Sequence, residues 1–215
     1  MLLPKKLWFF LLLGCFATGV SAQELDDIFG SIEQEEIMPL LPNKMLFTQR
    51  ILWGENGLMR QAKLAPLTPM QRSREIELRR KMLVTHQALG YVTLASMIAQ
   101  GILGGKLYNC DSCPSGEYNR LKDAHETMAA VVNISYFTGA GLSLFAPPPL
   151  INRTEKGLSS ARAHKWLASI HFSAMVATNV LAESAEESQT GRDLHRIAAY
   201  TAFGSFATAT LVLTF

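Results

Sequence analysis

The feature that most constrains this chain is a stretch of 24 residues, 82–105, that contains no Asp, Glu, Lys or Arg. About 20 apolar residues are enough for a helix to cross the hydrocarbon core of a bilayer. Three further segments, 124–145, 163–182 and 194–215, carry very few charges, and the last two are rich in Ala, Ser and Thr. Because small residues favour close packing between helices in lipid, the sequence predicts four transmembrane helices.

Composition favours a membrane protein and argues against a nucleic-acid-binding one. Charged residues make up 18% of the 215 residues, whereas soluble domains carry about 25%. The formal net charge of +2 is too small for the basic surface that binding to a phosphate backbone requires. We therefore expect the partners of the folded chain to include membrane lipid and no nucleic acid.

The N-terminus has the pattern of a secretory signal peptide over residues 1–22. Lys5 and Lys6 precede an apolar run, and the small residues that end at Ala22 suit cleavage by signal peptidase. Two alternatives stay open. One is lipid attachment at Cys15 after a lipobox-like cleavage, and the other is retention of the segment as a membrane anchor.

The mature chain divides into an N-terminal region, residues 23–67, and a helical domain, residues 68–215. Prolines punctuate the first region, which begins with acidic residues, so that only short amphipathic helices such as 45–53 are expected there. Thr68 followed by Pro69 is a typical helix start. Short connections between the four apolar segments predict antiparallel neighbours, so the fold class is an all-α membrane protein, an up-down bundle of four helices.

All five histidines lie in or at the edge of the four predicted spans. Ionisable residues are costly within a membrane, and each is therefore a functional candidate. Four of them are followed at i+4, on the same helix face, by a small residue that leaves room for a flat ring. These pairs are His86 with Gly90, His125 with Ala129, His164 with Ala168, and His195 with Ala199. His171 has Met175 at that position, so we set it aside as a ligand and expect it to line the pocket or relay a proton.

The direction of the helices predicts how these histidines pair. Each of the four lies near the start of its helix, and antiparallel neighbours start at opposite surfaces. His86 and His164 therefore lie near one surface, and His125 and His195 near the other. Helices that share a direction face each other across the core of a bundle, where cofactors are held. Since imidazole is a common haem iron ligand, the pattern predicts two haem b groups, each held by two histidines.

Other interpretations compete with this one. A histidine at a helix start can simply form hydrogen bonds at the membrane interface. A di-metal carboxylate site needs Glu-x-x-His pairs, and a zincin needs His-Glu-x-x-His; neither motif occurs. The alternative function is a transporter or membrane anchor without haem, in which Gln100, Asn133 and Asn179 line a path or join helices.

The segments around the four histidines resemble the cytochrome b561 family in its four-helix core form, over residues 80–215. That family has one histidine per core helix and pairs the first with the third and the second with the fourth. The segments that carry the resemblance are Thr85-His86-Gln87-Ala88-Leu89-Gly90, Leu121-Lys122-Asp123-Ala124-His125, Ala163-His164-Lys165-Trp166-Leu167 and Asp193-Leu194-His195-Arg196.

The resemblance implies electron transfer across the bilayer, which would make the chain a transmembrane oxidoreductase. It offers quinol, ascorbate or a periplasmic redox protein as the donor. Family members often have glycine where this chain has Ala168 and Ala199. The flanking helices of the ascorbate-dependent members are missing as well, so the donor and the acceptor are not carried over.

The orientation of the chain in the membrane determines whether its cysteine pair is expected to be reduced or oxidised. A signal peptide places residues 23–67 outside the cytoplasm of the cell membrane, which makes the His86/His164 site the outer one. The positive-inside rule favours the reverse, since more Lys and Arg precede the first and third helices than the second and fourth. Cys110 and Cys113 follow the first span. They would be reduced in the cytoplasm and able to form a disulfide outside it, and a plain loop and a redox role both stay open.

Overall fold

The structure is a computed structural model that describes residues 39–110, 112–150 and 159–214. The predicted signal peptide, with the alternatives at Cys15, and residues 23–38 lie outside the described residues. Contacts divide the chain into two units, Met1–Pro39 and Leu40–Phe215. The description below concerns the second unit.

The described residues are mostly helical and contain no strand, so the all-α class is confirmed. Three short helices accompany four long ones, and we number them in chain order. They are α1 (Phe47–Trp53), α2 (Leu58–Gln61), α3 (Pro69–Tyr108), α4 (Ser115–Phe145), α5 (Ser160–Val180), α6 (Ala182–Glu187) and α7 (Gln189–Thr214).

Helix α3 starts as its sequence predicts. The Thr68 side chain accepts a hydrogen bond from the Gln71 backbone N–H at 3.2 Å, and Pro69 occupies the first turn, where its missing N–H costs nothing. The helix then continues for 40 residues from its charged start into the uncharged stretch. Among the described helices, α3 and α4 are long and apolar enough to cross a membrane. Helices α5 and α7 fall outside that criterion because Ala, Ser and Thr dilute their apolar character.

The four long helices share one core. α3 packs along α4, α5 packs along α7, and α3 also contacts α7. The buried core draws on every long helix, with Met97 from α3, Val132 and Tyr136 from α4, Ala174 and Met175 from α5, and Ala202 from α7. Burying these side chains together ties the two helix pairs to each other.

Polar side chains also join the helices, among them the three that the sequence singles out, with Gln100 bonded to His125. Asn133 on α4 and Asn179 on α5 exchange side-chain hydrogen bonds of 2.8 and 3.1 Å. On the other side of α4, buried Thr93 donates to Ser135 at 2.9 Å. Such bonds strengthen helix association where the surroundings offer few other partners.

A buried ion network closes the end of the molecule at which α3 begins. Arg72 and Glu75 are 1% and 2% exposed, and Arg72 contacts a Glu75 oxygen at 2.5 Å. The Arg60 guanidinium binds both oxygens of the same carboxylate. Arg72 also donates to the carbonyls of Leu40 at 2.8 Å and Pro148 at 3.1 Å. The network thus fastens the N-terminal segment and the loop after α4 to the start of α3.

Helix α1 lies where the sequence predicts a short amphipathic helix, and it packs against the end of α4. The Trp53 indole donates to the Phe145 carbonyl at 2.9 Å, and Thr48 donates to the Leu144 carbonyl at 2.6 Å. These two bonds use carbonyls that the end of a helix otherwise leaves without partners. The N-terminal region from Leu40 onward is therefore part of the same compact unit as the long helices.

Candidate functional site

The structure brings the four patterned histidines together in two pairs. The rings of His86 and His164 have centroids 6.4 Å apart, with an angle of 84° between their planes. The rings of His125 and His195 have centroids 6.5 Å apart, with an angle of 67°. All four side chains are half-buried. The pairs are those that the helix directions predict, first with third and second with fourth.

The pairs are well separated along the bundle. On α3, His86 lies near the middle of the helix rather than near its start, and the second pair lies beside its end. His125 packs against Gly104, since a Cβ built there would lie 2.9 Å from the His125 ring. Gly104 follows His86 by 18 residues on the same helix, which is about 27 Å at 1.5 Å per residue. The hydrocarbon core of a bilayer is about 30 Å thick, so one pair lies near each surface if α3 crosses the membrane.

The ring separations equal those of two imidazoles bound to one metal ion. A metal–imidazole bond is about 2.0–2.1 Å long, and a ring nitrogen lies about 1.1 Å from the ring centre, so two opposed ligands have centroids about 6.3 Å apart. The same separation lies within the 4.5–7 Å range of ordinary edge-to-face ring contacts. The distance between the ring centroids is therefore compatible with a bound metal ion, and equally with a direct contact between the rings.

The second nitrogen of three of these histidines is held by a backbone carbonyl. Nδ1 of His86 lies 2.9 Å from the Gly139 oxygen, and Nδ1 of His195 lies 2.9 Å from the Thr178 oxygen. His164 makes the same contact with Ala209 at 3.1 Å. A carbonyl only accepts hydrogen bonds, so each Nδ1 carries a hydrogen, and in the neutral ring Nε2 keeps the lone pair that could bind a metal. This arrangement fixes the tautomer and the ring orientation of metal-binding histidines in many proteins.

His125 departs from this pattern. Its Nε2 lies 3.1 Å from the Gln100 side-chain nitrogen, whose amide hydrogen it accepts. Within the described part of the chain, buried His125 Nδ1 and Gln100 Oε1 both have no hydrogen-bond partner. Turning the Gln100 amide and the imidazole would let Nδ1 donate to Oε1 and would free Nε2. The two unpaired atoms are thus a complementary donor and acceptor, and ligation through Nε2 would satisfy both.

A cavity of about 460 Å³ surrounds the His125/His195 pair, within the range of sites for small molecules and cofactors. Its wall includes several small residues, among them Gly101, Gly104, Ala129, Ala182 and Ala199. Ala129 and Ala199 are the small i+4 residues that the sequence singled out for this pair. Their counterparts for the other pair, Gly90 and Ala168, are half-buried, and a Cβ added at Gly90 would meet open space.

The charged residues that line this cavity are of both signs. The Arg196 guanidinium lies 4.4 Å above the Tyr108 ring, and the Tyr108 hydroxyl donates to Asp193 at 2.7 Å. Lys122 forms ion pairs with Glu186 at 2.8 Å and with Glu126 at 3.7 Å. The cavity therefore joins an apolar interior to a charged rim, on which Arg196 offers a cation to a ligand with acidic substituents.

His171 lies in the core between the two pairs. It is 9% exposed, its Nδ1 lies 2.6 Å from the Tyr136 hydroxyl, and the Phe206 ring lies 5.1 Å away. It is absent from the wall of the His125/His195 cavity. The contact with Tyr136 was not foreseen, because nothing local in the sequence relates residues 35 positions apart.

The residues between 39 and 214 that the structure describes include no cluster of three or more His, Cys, Asp or Glu side chains that could hold a metal ion. The histidine pairs offer two protein ligands each. Two axial imidazoles suit an iron whose remaining positions are filled by a porphyrin. The donor set therefore fits haem and does not fit a structural zinc site, which takes four ligands.

Comparison with known proteins adds no relative. No model of a protein family, no curated protein and no solved structure matches this chain.

Proposed function

We propose that the chain is a multi-pass membrane protein whose four long helices form an up-down bundle across the bilayer. α3 and α4 support this by length and composition. The arrangement of α5 and α7 supports it as well, because they share the core with α3 and α4 and still expose large apolar side chains. In water such an exposed surface would be unfavourable. Exposed examples on the four helices are Val92, then Val131 and Ile134, then Ile170, Val176 and Val180, then Ile197 and Leu211.

Within this bundle, the proposed function is transmembrane electron transfer through two haem b groups. His86 and His164 would hold one, and His125 and His195 the other. The observation that carries the proposal is the pair of ring separations, 6.4 and 6.5 Å, at two positions that lie about 27 Å apart along α3. When bound, haem supplies a one-electron redox centre that a chain of ordinary side chains lacks.

The residues of the chain would bind and orient the cofactor. Backbone carbonyls hold Nδ1 of three histidines, so that each ring presents Nε2 in a fixed direction. Small residues leave space for the macrocycle at the second pair. Arg196, which lines the cavity, would offer a guanidinium to the propionate carboxylates.

The resemblance to the cytochrome b561 family supports the same function and proposes quinol, ascorbate or a periplasmic redox protein as donor. The proposed signal peptide places the His86/His164 pair near the outer surface. Two features favour the reverse: the basic residues around the start of α3 and the disulfide between Cys110 and Cys113 at its other end. Part of that positive charge is structural, because Arg72 is buried against Glu75. Reversal would exchange the outer and inner sites and leave the chemistry unchanged.

The test is to replace one histidine at a time. His86→Ala and His125→Ala should each lower the haem content from two per chain towards one, because each removes a ligand from a different pair. His171→Asn is the matched control, because His171 is the histidine that has no small residue at i+4. This variant should retain both haems. Equal haem content in all three variants would refute the assignment of ligands.

The alternative is a membrane transporter or partner anchor without haem. The Asn133–Asn179 pair favours it, because an amide pair within a bundle serves helix association or a polar path without any cofactor. That function predicts no visible absorbance in protein produced with ample haem, and the His125→Ala variant would then have no spectroscopic effect.

A further inference from the structure

The loop between α3 and α4 holds a redox group that electron transfer through the histidine pairs does not use. Cys110 and Cys113 are joined by a disulfide. A Cys-x-x-Cys spacing closes the smallest ring common among proteins that exchange disulfides with other thiols. We propose that this pair is a thiol–disulfide exchange site whose partner is a peptide or protein dithiol, with Cys113 as the sulfur that is attacked.

Exposure distinguishes the two cysteines. Cys110 is 5% exposed, so an incoming sulfur has no approach to it. Cys113 is half-buried and lines a surface groove of about 600 Å³. Exchange requires the attacking sulfur, the attacked sulfur and the leaving sulfur to lie nearly in line. The groove is lined by Cys113 and not by Cys110, so a partner sulfur has access to Cys113, and Cys110 would be the leaving group.

Helix ends distinguish the cysteines as well. Cys110 follows the last residue of α3, Tyr108, by two positions, at the negative end of that helix. Cys113 directly precedes Pro114, the N-cap of α4, at the positive end of a helix of 31 residues. In the reduced state the anionic sulfur is therefore favoured at Cys113, and a thiolate is the reactive form.

Charged side chains around the groove add to this difference. Lys106 and Arg120 line it together with one acidic residue, Glu117. Positive charge stabilises a sulfur anion at Cys113 and draws in an anionic partner. The groove also shares Ile102 and Gly105 with the cavity of the His125/His195 pair, so the disulfide lies at the same end of the molecule as that site.

The exchange is balanced without a further oxidant. A thiolate of the partner attacks Sγ of Cys113, the Cys110–Cys113 bond breaks, and Cys110 leaves as a thiolate that takes a proton from water. The second thiolate of the partner then attacks its own sulfur in the mixed disulfide and releases Cys113. The partner is oxidised to a disulfide and the chain is reduced to a dithiol, with two electrons transferred. A partner with a disulfide reverses the same steps.

The experiment uses the full chain purified in detergent. The variants Cys110→Ser and Cys113→Ser each leave one of the two thiols, and both are mixed with oxidised glutathione at neutral pH. Mass spectrometry of peptides locates and times the mixed disulfide. We expect Cys113 to react at least about ten times faster than Cys110. Rates within a factor of two, or a faster Cys110, would overturn the assignment.

A second measurement tests the wild-type disulfide itself. Reduced thioredoxin, a protein dithiol, should open it under native conditions, as shown by alkylation of both cysteines. A disulfide that resists an excess of reduced thioredoxin in the folded protein is structural, and the proposal would be wrong. Haem content separates this result from the proposed electron transfer, since both serine variants should bind haem as the wild type does. If the purified protein exchanges thiols but binds no haem, only the proposed haem binding is refuted.

Discussion

Replacing Gly104 by Ala should weaken haem binding at one site and leave the other intact. Gly104 lies on α3 against the His125 ring, and a Cβ built there would be 2.9 Å from Cε1 and 3.4 Å from Nδ1 of that ring. Carbon atoms come into ordinary contact at about 3.5–4.0 Å. The ring must therefore move by about 0.6 Å or more, away from α3.

The size of the expected loss in haem affinity follows from the narrow range of metal–ligand distances. Distances at a metal site are held within about 0.2 Å, so a displacement of this size breaks the bond or forces the opposite ligand to follow. Changes in the groups that orient a histidine ligand typically lower metal affinity by about 10–100-fold. The helix itself gains about 1 kcal/mol of intrinsic propensity when Gly becomes Ala. Loss of haem would therefore not reflect a weaker helix.

The assay titrates haem into apoprotein and counts bound haem from the pyridine haemochrome. Gly204→Ala is the matched control, because Gly204 lies on the exposed side of α7 and a Cβ there meets nothing within 4 Å. We expect Gly104→Ala to keep one tight site and lose affinity at the second, and Gly204→Ala to keep both. Two unchanged sites in Gly104→Ala would refute the placement of His125 as a ligand, and losses in both variants would show that the effect is not local.

Two further predictions concern stability. Glu75→Gln leaves buried arginines without their carboxylate and should lower the free energy of unfolding by about 3–5 kcal/mol. Glu77→Gln, on the exposed face of the same helix with a side chain 65% exposed, should change it little, and thermal unfolding in detergent compares the two. Tyr136→Phe removes the partner of buried His171 and should cost about 1–3 kcal/mol while haem content stays unchanged. Equal melting temperatures for Glu75→Gln and Glu77→Gln, or for Tyr136→Phe and wild type, would contradict the roles given to those contacts.

Local chemistry in the sequence predicts the helix starts. Thr68 and Pro69 begin α3 because a side-chain cap and a missing N–H satisfy the first turn without help from the rest of the fold. The pairing of histidines also follows from local information, since it needs only the helix directions and a fixed rise per residue. Short loops determine those directions, and the structure brings the same pairs together.

Contacts between distant segments are beyond such reasoning. In the sequence, Glu75 belongs to a charged run that is typical of a solvent-exposed helix. In the structure it is 2% exposed, because α2 and the loop after α4 cover it. Nothing near Gln100 indicates that its amide meets His125, which lies 25 positions away. Polar residues in apolar segments were a sufficient signal to select Gln100, Asn133 and Asn179, and only tertiary packing assigns their partners.

Mean hydropathy identifies α3 and α4 as candidate membrane spans but not α5 and α7, and this difference has a physical reason. α3 and α4 contain runs of large apolar residues, whereas α5 and α7 replace many of them with Ala, Ser and Thr. Several of these hydroxyls bond to a carbonyl one turn earlier, as Thr178 does to Ala174 and Thr201 to Ile197. A hydroxyl satisfied within its own helix is less costly in lipid than its hydropathy value implies, so composition underestimates how well such helices suit a membrane.

The central claim is that the chain binds two b-type haems, and a dithionite-reduced minus oxidised absorbance spectrum of the detergent-purified full chain tests it most directly. Together with a pyridine haemochrome count, the spectrum should show b-type haem at two per chain. Protein produced with ample haem that shows no absorbance beyond the aromatic band would contradict the claim and leave a helical protein with two pairs of contacting histidine rings.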